Sequence, residues 1–115
     1  MIKGIYDVAV VVSNAKRSSK WYTSKLGFKV VESMGHWITV APKSAKKGAS
    51  LIHLCEGKLE PGNTGIGMWA DDIDKTYKQL SKNGVAFTQK PIDKGWGKYA
   101  MFKDPDRNVF WLFEG

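Results

Sequence analysis

One cysteine among 115 residues, Cys55, rules out an intrachain disulfide framework. No apolar run approaches the roughly 20 residues that a membrane-spanning helix needs. The opening residues, Met1 to Asp7, lack the apolar stretch of a secretory signal. The cytoplasm is therefore the expected location, with no membrane partner. Acidic residues are scarce: 11 Asp and Glu stand against 18 Lys and Arg, a net charge of +7. A basic balance of this kind raises nucleic acid as a partner. The lysines are scattered, however, and several fall on solvated helix faces. The one local cluster, Pro42 to Gly48, reads as a loop, so an anionic small molecule is the better-matched partner. Gly-rich phosphate loops, paired catalytic carboxylates and a serine nucleophile motif are all missing.

What is present is an ordinary globular composition, 43% hydrophobic and 25% charged, long enough for one domain. The chain closes on a hairpin: Tyr99 to Lys103, a turn at Asp104-Pro-Asp-Arg-Asn108, then Val109 to Phe113. Pro105 presets the second turn position and Asp104 can bond forward to the backbone. Earlier, the apolar run Ile5 to Val12 predicts a buried strand. Ser13-Asn14 caps a helix over Ala15 to Leu26, whose inner stripe is Ser18, Trp21, Tyr22 and Leu26. Gly27 ends it in a left-handed cap. Strands follow at Phe28 to Glu32, Trp37 to Ala41 and Ser50 to Cys55.

Residues 57–62 form the one linker-like segment, and after it the order repeats. Gly65 to Ala70 is a strand, Asp71-Asp72 a cap, Ile73 to Asn83 a helix and Gly84 its stop. Val85 to Gln89 is a strand, Pro91 to Gly97 a loop, and the closing hairpin completes the set. The spacing from Asn14 to Gly27 equals that from Asp71 to Gly84. The expectation is an α+β domain over residues 1–115. Two βαβββ modules, about 1–56 and 63–115, would form a curved mixed sheet with helices outside and a groove inside.

The run from Val8 to Phe28, ending Trp21-Tyr22 … Leu26-Gly27-Phe28, resembles the first module of the vicinal oxygen chelate superfamily. That superfamily includes glyoxalase I, bleomycin-resistance proteins and extradiol dioxygenases. Asp104-Pro-Asp-Arg-Asn108 is similar to its Asp-Pro-Asp-Gly-Asn turn, with Arg107 in place of the glycine. The resemblance spans nearly the whole chain. It implies four groove positions that ligate metal in metal-dependent members, and these fall on Asp7, His53, Gly65 and Trp111. Gly65 has no side chain to donate and the Trp111 ring nitrogen has no acceptor lone pair. A catalytic metal wants about three protein ligands, so the expected cofactor is none. If a divalent metal binds, Asp7 and His53 are its residual ligands.

The resemblance instead implies an aromatic groove. Alternation puts Val109 and Phe113 on the face of Trp111, and Gly67 and Trp69 with Gly65, Gly67 deepening the floor. Trp37, Trp96 and Tyr99 fall on elements that rim the groove in relatives. Cys55 shares parity with His53 but reads as a buried, inert thiol, and Glu32 and Glu114 show no partner. The leading reading is a metal-independent protein that binds a small organic ligand, aromatic or anionic, as a homodimer. The alternatives are a metal-dependent glyoxalase- or dioxygenase-type enzyme using Asp7 and His53, and a regulatory domain without a groove ligand.

Overall fold

The computed structural model describes Met1 and residues 3–115. It divides into two compact units, Met1–Glu60 and Pro61–Gly115. The first contains β1 (Asp7–Val12), α1 (Ala15–Leu26), β2 (Phe28–Met34), β3 (Trp37–Pro42) and β4 (Leu51–Glu56). The second contains β5 (Gly62–Ala70), α2 (Ile73–Lys82), β6 (Ala86–Asp93), β7 (Lys98–Lys103) and β8 (Asn108–Glu114). The α+β architecture of two βαβββ modules is therefore present, with a four-stranded mixed sheet in each. The strand orders are β1-β4-β3-β2 and β5-β8-β7-β6. In each sheet the first strand of the module runs parallel to the last, and the remaining pairs are antiparallel. No described helix is long and apolar enough to cross a membrane.

In the first unit α1 packs on β2, β3 and β4. Val10, Val12, Val40 and Leu54 point into that layer with Tyr22, which is fully buried. Burying a side chain of this size is worth about 1.5–3 kcal/mol. Trp21, expected in the inner stripe, is only half buried and meets Tyr22 edge-on. In the second unit α2 packs on β6, β7 and β8. Ile73, Phe102, Phe110 and Leu112 fill that layer, and Tyr77 packs edge-on against Phe87.

Both helices begin as the sequence implies, with one correction. Asn14 Oδ1 accepts from the Arg17 amide at 2.9 Å. In the second module the cap of the Asp71-Asp72 pair is Asp72, accepting from the Lys75 amide at 3.1 Å, so the equal spacing counted from Asp71 does not hold. The interval to the left-handed glycine, Gly27 at φ 73° and Gly84 at φ 96°, is thus one residue shorter in the second module. Residues 91–93, read from sequence as loop, continue β6. Pro91 is tolerated there because β6 is an edge strand and its register with β7 shifts between Gln89 and Ile92. In the final turn Asp104 Oδ1 accepts from the amides of Asp106 and Asn108, both at 2.9 Å. Arg107 sits at φ 65°, the conformation a glycine would adopt without cost.

Candidate functional site

Each sheet turns one face to its helix, and the residues named from the sequence lie on the other. In the first unit the cross-strand pairs Glu32–Thr39, Thr39–His53 and His53–Ala9 draw one row across all four strands. Glu32 is its hub. Its Oε2 accepts from the Tyr6 hydroxyl at 2.6 Å. Its Oε1 accepts from the Trp37 indole at 3.2 Å and from the buried Thr39 hydroxyl at 3.0 Å. The Tyr6 bond first, then the Trp37 bond, hold the Glu32 carboxyl below the usual carboxylate range. The same Tyr6–Glu32 bond pushes the phenol up. Trp37, pinned through its ring nitrogen, lies against His53 with ring centroids 3.9 Å apart. The sequence reading that Glu32 lacks a partner is therefore wrong, because its partners come from β3 and from the residue before β1.

In the second unit the corresponding row is Gln89, Met101, Trp111 and Gly67. His53 and Trp111 thus hold equivalent places in the two modules. Around Trp111 the aromatic side chains form a continuous ladder. Trp96 stacks on Tyr99 with planes 11° apart, and Tyr99 meets Trp111 at 5.1 Å. Trp111 stacks on Phe113 at 14°, and Phe113 touches Trp69 at 6.1 Å. Trp96 also meets Phe113, at 6.2 Å, and the most exposed rings of the ladder are Trp69 at 78% and Trp96 at 66%. All five rings named from the sequence in this unit, Trp69, Trp96, Tyr99, Trp111 and Phe113, are therefore brought together.

Asn63, which sequence reasoning missed, fixes the central ring. Its Oδ1 accepts from the Gly65 amide at 2.8 Å and from the Trp111 indole at 3.0 Å. The bond forms because β5 shifts register between Asn63 and Gly67, with Gly65 at φ 72° inside the irregular stretch. Gly67 does not deepen the floor as expected. A Cβ there would stand 2.7 Å from Phe113 Cε2, so the missing side chain is the space the Phe113 ring occupies.

The comparisons with known proteins agree on the frame. The profile of the Glyoxalase/Bleomycin resistance protein/Dioxygenase superfamily matches residues 4–112. The chain belongs to this superfamily. YetH of Bacillus subtilis (strain 168) is 36% identical over 120 residues, covering 99% of this chain and 100% of its own length. A superfamily member from Sphaerobacter thermophilus DSM 20745 superposes with a TM-score of 0.88 at 31% identity, covering 99% and 98% of the two chains. TnmS3, an antibiotic binding protein from Streptomyces sp. CB03234, superposes with a TM-score of 0.83 at 30% identity, covering 98% and 96%.

The four superfamily metal positions can now be tested on the donors present. In the first unit Asp7 pairs with Leu51 and His53 with Ala9, two residues further along the parallel strands. In the second unit Gly65 offers no side chain, and the Trp111 N–H donates to Asn63. Among the described residues no three His, Cys, Asp or Glu side chains gather as a metal-binding group. This donor set does not fit a metal of the superfamily type. Cys55 is half buried rather than buried, and its thiol lies 4.0 Å from the Glu56 carbonyl oxygen.

Proposed function

We propose that this protein binds a small, flat, aromatic ligand by stacking, and does so without a metal. The single observation that carries the reading is the ladder from Trp96 through Tyr99, Trp111 and Phe113 to Trp69. Binding sites for organic molecules are lined mainly by apolar and aromatic groups, with a few polar atoms fixing orientation. A ladder whose central ring is held by a hydrogen bond meets that description. An antibiotic binding protein among the similar structures supports a small organic ligand. On the first unit's own sheet, Asp7, Trp37 and His53 share a second face that offers polar and stacking contacts to a small molecule in this reading.

The competing reading is a metal-dependent lyase, isomerase or oxygenase that relies on Asp7 and His53. Two titrations separate them. A neutral flat probe, 2-naphthamide, should quench tryptophan fluorescence saturably, and Trp111→Ala should weaken its binding about tenfold. Calorimetry with Ni²⁺ or Zn²⁺ should show only weak binding. One ion held at submicromolar affinity, and lost in Asp7→Ala or His53→Ala, would establish the metal reading instead. We also propose a homodimer. The edge strand β2 carries Val30, Val31 and Met34 exposed, which a second copy would cover. Light scattering that gives only monomer at tens of micromolar would remove that part.

A further inference from the structure

We infer that the ligand carries a negative charge and that Lys103 reads it. The second unit's aromatic face would then select a flat ring system with one carboxylate or phosphate substituent. The inference rests on the stacking reading above and adds the ligand's charge to it. Along β7 the side chains alternate. Lys98, Ala100 and Phe102 point toward α2, as the Lys98–Asp74 bond and the burial of the other two show. Tyr99, Met101 and Lys103 share the ladder face. Lys103 is half buried there, between Val109 of β8 and Ala86 of β6. Among the described residues its ammonium makes no hydrogen bond or ion pair.

The unit's own carboxylates are engaged elsewhere. Asp71 and Asp72 accept from amides at the start of α2, and Asp74 holds Lys98. Asp93 accepts from the Gly95 amide and Glu114 from the Ile73 amide. Asp104 and Asp106 are buried in the turn between β7 and β8. A lysine whose stem lies along an apolar aromatic surface, with every carboxylate of the unit engaged elsewhere, leaves its ammonium for an external anion. The distance suits a substituted ring. Lys103 lies two residues along β7 from Met101, the partner of Trp111, about 7 Å between Cα atoms. A one- or two-ring system on the Trp111 indole would present its acid within reach of the lysine.

The test uses the full chain and three probes: 2-naphthoate, its neutral analogue 2-naphthamide, and 2-naphthyl phosphate, read by tryptophan fluorescence and calorimetry. The wild type should prefer naphthoate or the phosphate over the amide by about tenfold. Whichever anion is preferred identifies the kind of acid. Lys103→Met keeps the apolar stem and should bring the three probes within about twofold of one another by weakening the preferred acid about tenfold. Lys103→Arg should retain the preference. Near-UV circular dichroism checks that the variants keep the wild-type fold. Equal affinity of the wild type for amide and acids overturns the charge inference alone, and so does a preference that survives Lys103→Met. If no probe binds and Trp111→Ala changes nothing, the stacking reading fails and this inference with it.

Discussion

Glu56 and Glu114 do the same thing in the two modules. Each ends the last strand and accepts from the first amide of its module's helix: Glu56 from Ala15 at 2.9 Å, Glu114 from Ile73 at 3.0 Å. In both cases the acceptor lies 41 residues from the donor. The carboxylate satisfies an amide that the helix cannot, and places negative charge at the positive end of the helix dipole. Glu114→Ala should therefore destabilise the protein by about 1 kcal/mol, and Glu114→Gln by less. Urea denaturation followed by far-UV circular dichroism measures both. Equal stability of Glu114→Ala and wild type would show that the Asp72 cap suffices.

Asn63 should matter to ligand affinity more than to stability. Asn63→Ala leaves the Trp111 N–H without its acceptor and frees the ring to turn, at a stability cost of about 1 kcal/mol or less. Affinity for a flat probe should fall several-fold, with a change in the near-UV circular dichroism of tryptophan. Asn63→Asp keeps an oxygen in place and should restore most of the signal.

The Glu32 hub predicts an acid-sensitive term. Its carboxyl is lowered from 4.5 in the folded state, chiefly by the Tyr6 hydroxyl. A depressed carboxylate contributes fully above the unfolded value and loses that contribution as pH falls through the folded one. The melting temperature of the wild type should therefore drop more between pH 7 and pH 3 than that of Glu32→Gln. The Tyr6 phenol is raised from 10.0 by the same bond, so its contribution is complete below that value and is lost as pH climbs past it. Tyr6→Phe should narrow both differences.

Arg107→Gly should stabilise. Arg107 occupies φ 65°, a region costing a residue with a Cβ about 1–2 kcal/mol. Glycine returns about 0.5–1 kcal/mol of that through its freer unfolded chain. A net gain of up to about 1 kcal/mol, seen as a higher melting temperature, is the expected outcome.

The frame of the molecule was legible in residues with local roles. Asn14, Gly27, Gly84 and the Asp104–Asn108 turn each act on backbone a few positions away, so spacing alone exposes them. The alternation of β8 likewise put Val109, Trp111 and Phe113 on one face. The polar half of the candidate site was not legible, because its partners are far apart in sequence. Tyr6 meets Glu32 across 26 residues and Asn63 meets Trp111 across 48. Asn63 also depends on a register shift in β5 that no periodicity announces. Gly67 was misread for a related reason: its meaning lies in the strand beside it, where Phe113 sits.

That glycine sets the terms on which the ladder could be re-engineered. A methyl at position 67 would collide with Phe113 Cε2 at 2.7 Å. Phe113 is the ring that Trp69, Trp96 and Trp111 all touch. Displacing it would disturb three tryptophans through one atom. A library meant to change ligand preference should hold residue 67 constant and vary Met101 and Lys103, whose side chains share the ladder face. Emission from the tryptophans would report a failed variant before any ligand is added.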